Sequence, residues 1–153
     1  MVAWYHNMSK LKLDIDGIEE DFFSGTRILG IMCQLKNYRF CWMLNARLPF
    51  DFRLNTDFEV QLKKKGRNYF FQVYQFYETG NELQHYIYQN QFEGEYLLPE
   101  FKHFDFLWLI KAAIIPDDDF INLQRNLKEI NEIQLVTELI QEKIKNKANL
   151  ILQ

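Results

Sequence analysis

Glu100 and Asp105 are the two carboxylates on which acid–base chemistry would have to be built. They stand in the stretch Leu98-Pro99-Glu100-Phe101-Lys102-His103-Phe104-Asp105-Phe106. Such a pair serves as general acid and base when its surroundings drive the two pKa values apart. The local pattern favours a plainer use. Pro99 fixes a turn, and Glu100 is placed to cap a backbone amide or meet a basic side chain. Asp105 falls on a strand whose neighbours Phe104 and Phe106 face the other way.

A second cluster is basic and aromatic. Lys63, Lys64, Lys65 and Arg67 surround Gly66, beside strands that carry Tyr69, Phe71, Val73 and Tyr77 on one face and Phe70, Tyr74 and Phe76 on the other. The next strand adds Tyr86 and Tyr88. With one sheet face open, Phe70, Tyr74, Tyr86 and Tyr88 next to a basic loop would form a stacking platform for single-stranded RNA. The same rings equally suit a protein-contact face or plain packing, and lysines at a hairpin tip also protect a sheet edge. The glycine–aromatic signature of RNA-recognition sheets is missing from the sequence.

Tyr38, Arg39 and Asn45 form a third group. Asn45 shares a helical face with Tyr38, Cys41 and Trp42, and an amide on an apolar face needs partners. Fixing a neighbouring loop is its expected role. His6, His85 and His103 lie far apart, and neither Cys33 nor Cys41 has a ligand-spaced companion, so no metal site and no cofactor are expected. His85 reads as a hydrogen-bonded core residue. Phosphate-cradling glycine loops, the serine elbow and the HExxH pair do not occur.

The elements that must hold these residues follow from periodicity. Lys10 to Asp16 alternates as a half-wet strand, and Thr26 to Cys33 is a more buried one. Tyr38, Cys41, Trp42, Asn45 and Leu48 recur at helical spacing, and Pro49 stops a helix expected at 36–48. Strands are expected at 58–62, 69–77, 83–89, 96–98 and 104–112, with turns at Lys63–Asn68, Thr79–Asn81 and Gly94. Pro116 followed by Asp117, Asp118 and Asp119 opens a helix to about Lys128, since carboxylates suit the positive end of the helix dipole. A strand at 133–140, a helical turn at 141–147 and a tucked apolar tail close the chain. The expected fold is α+β, largely antiparallel, with two main helices. Segments 104–112, 117–128 and 133–140 form one strand–helix–strand unit, and 26–33, 36–48 and 57–63 form another. Two such units would make a ferredoxin-like or roll-like sheet.

With 153 residues, 48% hydrophobic and 16% aromatic, the chain suits one α+β domain over 9–153 with large rings in its core. Residues 1–8 read as an extension, because Met8 offers a second possible start. No apolar run has bilayer length; Lys111 interrupts the longest, Leu107 to Ile115. A net charge of −3 gives no general attraction to nucleic acid. The charge is uneven, +3 over residues 1–76 and −6 over 77–153. That asymmetry suggests a polarised surface or paired faces in an oligomer. Two unpaired cysteines read as reduced buried thiols in the cytoplasm.

Leu98-Pro99-Glu100 and Phe104-Asp105-Phe106 together resemble the signature of the IPExxxVDY family of small Bacteroidetes proteins. Pro99, Glu100 and Asp105 match it outright, while Leu98, Phe104 and Phe106 replace its isoleucine, valine and tyrosine. The Ser9-Lys10-Leu11-Lys12-Leu13 opening, Asn37-Tyr38-Arg39 with Trp42 and Asn45, the lysine-rich hairpin and the Asn-Leu-Ile ending extend the likeness over most of the chain from Met8. The resemblance implies no activity, cofactor or catalytic residue. The expected function is therefore non-enzymatic and cytoplasmic, through contact with a protein partner or a second copy. An RNA-associated accessory role and an enzyme built on the carboxylate pair are the alternatives.

Overall fold

The computed structural model describes Gly17 and residues 20–152. The expected strand at Lys10–Asp16, His6 and the alternative start at Met8 lie outside them. The fold is α+β. Among the described residues, six strands form one antiparallel sheet in the order β10-β1-β9-β6-β5-β2. They are β1 (Thr26–Cys33), β2 (Arg53–Leu54), β5 (Val73–Tyr77), β6 (Gln84–Gln89), β9 (Phe106–Lys111) and β10 (Ile133–Leu139). Two hairpins stand beside the sheet: β3 (Val60–Lys64) with β4 (Arg67–Phe71), and β7 (Gln91–Phe92) with β8 (Glu95–Tyr96). Helix α1 covers Asn37–Arg47 and α2 covers Asp117–Lys128.

The sequence explains the centre of the sheet. β9, Phe-Leu-Trp-Leu-Ile-Lys, is apolar at every position but its last and is buried on both faces between β1 and β6. β9 and β10 each run antiparallel to β1, so they are parallel to one another with β1 between them. With α2 connecting them they form the expected strand–helix–strand unit in split form. Gly25 opens β1 at φ +67°, where a Cβ would lie 2.2 Å from the carbonyl oxygen of Ala112.

The second expected unit is not formed. The strand that follows α1 in the main sheet is the two-residue β2, paired with β5 at the far edge. β3 pairs with β4 outside that sheet. Asn55 supplies the reason. Its Oδ1 accepts from the amides of Asp57 (2.9 Å) and Phe58 (3.0 Å), which makes a turn where the strand was expected to begin. The expected strand 69–77 is likewise two strands, since the pairing changes partner at Gln72. The terminal helical turn is two short 3-10 turns, Gln141–Lys143 and Lys147–Leu150.

Both sheet faces are covered. One face packs Leu29, Ile31, Ile87, Trp108 and Ile110 against Phe40, Leu44, Phe120 and Leu127 of the helices. The other packs Ile28, Tyr86, Tyr88, Leu107 and Leu109 against Leu97, Leu98, Phe104, Ile144 and Leu150. The C-terminal tail closes this second face and is tied to it by side-chain hydrogen bonds. Tyr88 Oη donates to the Leu150 carbonyl at 2.8 Å, and Asn149 Nδ2 donates to the Leu97 carbonyl at 2.8 Å. Among the described residues no helix is long and apolar enough to cross a membrane.

Candidate functional site

The Leu98–Phe106 segment is a strut between the sheet and the tail. Pro99 opens a 3-10 turn over Pro99–Phe101, where its missing N–H costs nothing. Glu100 does cap an amide: its carboxylate accepts from Asn146 N at 2.9 Å and from Asn146 Nδ2 at 2.8 Å. Burial pushes this carboxyl up, but the bonds from Asn146 outweigh it and hold the pKa below the usual value. Asp105 Oδ2 accepts from Cys33 N at 2.8 Å and so ends the β1 ladder. Its pKa is raised, because burial outweighs that bond. Asp105 is a bend residue and not part of a strand. Phe104 and Phe106 therefore enter opposite cores. Phe104 lies over Gly30, where an added Cβ would sit 2.7 Å from the ring. Phe106 stacks on Phe40 with ring centroids 4.2 Å apart. The two carboxylates are thus used on different segments, the tail and the end of β1.

Asn90 is the residue that sequence reasoning missed here. Fully buried, it donates through Nδ2 to the carbonyls of Phe101 (3.0 Å) and Phe104 (2.9 Å). Its Oδ1 accepts from Leu98 N at 2.9 Å. Its neighbours Gln89 and Gln91 give no pattern that would single it out.

The basic hairpin forms as expected. Lys65 (φ 51°) and Gly66 (φ 76°) make a two-residue turn with both residues left-handed. Lys64 pairs with Glu95 at 3.2 Å and Arg67 pairs with Glu93, so the second hairpin neutralises half of its charge; Lys63 and Lys65 stay exposed. The four rings do not share a face. Tyr74 lies opposite Ile87 on the helix side, whereas Tyr86 and Tyr88 are buried beneath the tail, and Phe70 alone is well exposed. An open aromatic platform is not assembled, because the tail occupies that face.

Among the described residues the two most exposed rings are on α1. The helix buries Phe40, Cys41, Met43 and Leu44 and leaves Tyr38 57% and Trp42 72% exposed. The expected apolar face, with Tyr38 and Trp42 inward, is rotated because Phe40 takes the stacking position on Phe106. Leu35, Arg39, Trp42, Met43, Arg47 and Glu132 line a groove of about 330 Å³ there. Arg47 closes its end through a two-pronged pair with Glu132, both bonds 2.8 Å. Asn45 has the expected loop-fixing role. Its Oδ1 accepts from Phe52 N at 2.7 Å, and its Nδ2 donates to the Phe52 carbonyl at 3.0 Å.

A cavity of about 320 Å³ lies where the loop after α1 meets β6 and α2. His85 is in its wall, with Phe50 and Phe76 around the ring at centroid distances of 5.2 and 6.0 Å. Trp108 Nε1 donates to His85 Nδ1 at 3.1 Å, which assigns the imidazole proton to Nε2. His85 is therefore hydrogen-bonded in the core as expected, but on one side only. Nε2 has no hydrogen-bond partner among the described residues, and Glu78 Oε1 stands 3.7 Å away. Burial pushes the imidazole down to about 4, so it is neutral at physiological pH. Cys33 and Cys41 are free, buried thiols whose pKa values burial raises. Among the described residues no three His, Cys, Asp or Glu side chains are grouped to hold a metal ion. No protein-family model, curated protein or solved structure matches the chain.

Proposed function

We propose that the chain is a non-enzymatic cytoplasmic protein of the IPExxxVDY type that works by docking a protein partner on the exposed face of α1. The observation that carries this is Trp42, 72% exposed, one helical turn from the exposed Tyr38 and beside a groove. Tryptophan, tyrosine and arginine are the residues that dominate binding energy at protein interfaces. Arg39 lines the same groove and, among the described residues, makes no ion pair. Lys36 precedes the helix. A partner segment with an apolar anchor and flanking carboxylates fits this chemistry. The family likeness, which implies no catalytic residue, and the internal use of Glu100 and Asp105 support a binding role. Buried free thiols agree with a reducing compartment.

The test is co-purification from native cells with wild type and Trp42→Ala. A stoichiometric partner that Trp42→Ala loses at unchanged thermal stability supports the reading. Recovery of the same proteins with both forms refutes it. Light scattering separates out the case of a second copy: a wild-type dimer that Trp42→Ala turns into a monomer.

A further inference from the structure

The cavity behind Phe50 combines an apolar floor with a negative rim. Leu83, Ile110 and Phe120, all buried, form the floor, while the more exposed Glu78 and Asp119 stand at the rim, and three asparagines complete the polar lining. Among the described residues its lining holds no lysine or arginine, and its one imidazole, His85, is neutral at physiological pH. An anion entering it would meet two carboxylates and no counter-charge, whereas a cation would be attracted by both. The volume is at the lower end of what small-molecule sites enclose.

His85 sharpens the chemistry. It is 2% exposed, and its Nε2–H is a buried donor with no acceptor. Leaving such a group unsatisfied costs stability, and native structures rarely keep one without a reason. Glu78 Oε1, at 3.7 Å, is too distant to accept that proton. A hydroxyl set to one side of the pair, within hydrogen-bond reach of each, answers both groups, because its oxygen accepts from Nε2–H and its own proton goes to the carboxylate.

We propose that this cavity binds a small hydroxylated amine with an apolar body. The ring or chain of the ligand lies on Phe50 and Phe120, its hydroxyl bridges His85 and Glu78, and its ammonium faces Asp119. Trp42 lines no part of this cavity, so the site stands independently of docking on α1.

Titration of the full chain labelled with nitrogen-15 tests this, using three probes of one size. Tyramine carries both groups, 2-phenylethylamine lacks the hydroxyl, and 3-(4-hydroxyphenyl)propionate replaces the amine by a carboxylate. The indole N–H of Trp108, bonded to His85, is the reporter. Tyramine should shift it saturably. Phenylethylamine should bind roughly tenfold more weakly, and the acid should not saturate over the same range. Glu78→Gln should weaken tyramine about tenfold with the remaining spectrum unmoved. His85→Phe should abolish the preference for tyramine over phenylethylamine. The proposal is overturned if no probe saturates, if the acid binds as well as the amines, or if Glu78→Gln binds tyramine as wild type does.

Discussion

Acidification should destabilise this protein through His85 by an amount the structure sets. Burial holds the imidazole at about 4 in the folded chain, against roughly 6.5 in an unfolded one. Between those values the unfolded chain takes up a proton that the folded chain refuses. The unfolded state then binds more protons, so stability falls as pH falls. One proton over about 2.5 pH units corresponds to about 3 kcal/mol. Above the unfolded value the residue adds no slope, and below the folded value both states are protonated and the loss is complete. Glu78 at 3.7 Å and Asp119, which lines the same cavity, both remain in a variant that changes only residue 85. Asp105, whose folded pKa is raised, acts with the opposite sign near the acid end; Glu100, whose folded pKa is lowered, loses its contribution there. Comparison with His85→Gln cancels all of these. Glutamine does not titrate, and its amide oxygen can still take the Trp108 proton. The assay is urea unfolding of both proteins at pH 7, 6, 5 and 4, followed by tryptophan fluorescence. Whatever gap separates them at pH 7, it should shift by about 3 kcal/mol in favour of the variant by pH 4. Parallel loss in both proteins would show that residue 85 is not a buried neutral imidazole.

Three further outcomes follow from named contacts. Asn90→Ala strips partners from the Phe101 and Phe104 carbonyls and the Leu98 amide, and should cost about 3 kcal/mol in urea unfolding, with faster exchange of the Leu98 amide. Gly30→Ala forces a methyl to 2.7 Å from the Phe104 ring and should cost about 2 kcal/mol; adding Phe104→Leu should return part of it. Glu100→Ala should lower stability by only about 1 kcal/mol while the Asn146 amide exchanges much faster than the strand amides, because the lost bonds lie at the surface.

Much of the secondary structure was legible, because its signals are local. Pro49 and Pro116 punctuate, Asp117–Asp119 load a helix start, and β1, α1, α2 and β10 lie within a residue or so of where periodicity puts them. The phase of α1 was not legible. Tyr38 and Trp42 on one side and Phe40 and Leu44 on the other satisfy the same spacing, and the choice belongs to Phe106, a partner distant in sequence. The open aromatic face failed for a related reason. Rings alternate on both sides of β5 and β6, so only the tail, packed through Ile144 and Leu150, decides which are covered. Glu100 and Asp105 could be read as capping groups, but their partners Asn146 and Cys33 are far along the chain. His85 was legible as a core residue. Its unsatisfied nitrogen was not, since that depends on Trp108 taking the other one.

Most polar side chains inside this fold can be explained by what they hold. Asn90 holds the turn, Asn55 ends a strand, Asn45 fixes the loop, and Tyr88 secures the tail. Against that background two features of the described residues bear on the proposed sites: a tryptophan left in water and a buried donor left without an acceptor. Consistency elsewhere makes such departures informative, because folding alone gives no reason for either. They also meet on one segment. Asn45, on the helix that presents Trp42, bonds both backbone groups of Phe52, whose ring packs on Trp108 at 5.1 Å; Phe50, two residues earlier, packs on His85. The helix of the proposed docking surface and the loop that lines the cavity are thus fastened by two hydrogen bonds and one aromatic cluster. A join of this kind holds the two proposed sites in fixed relation, so each can be probed without assuming that the other moves.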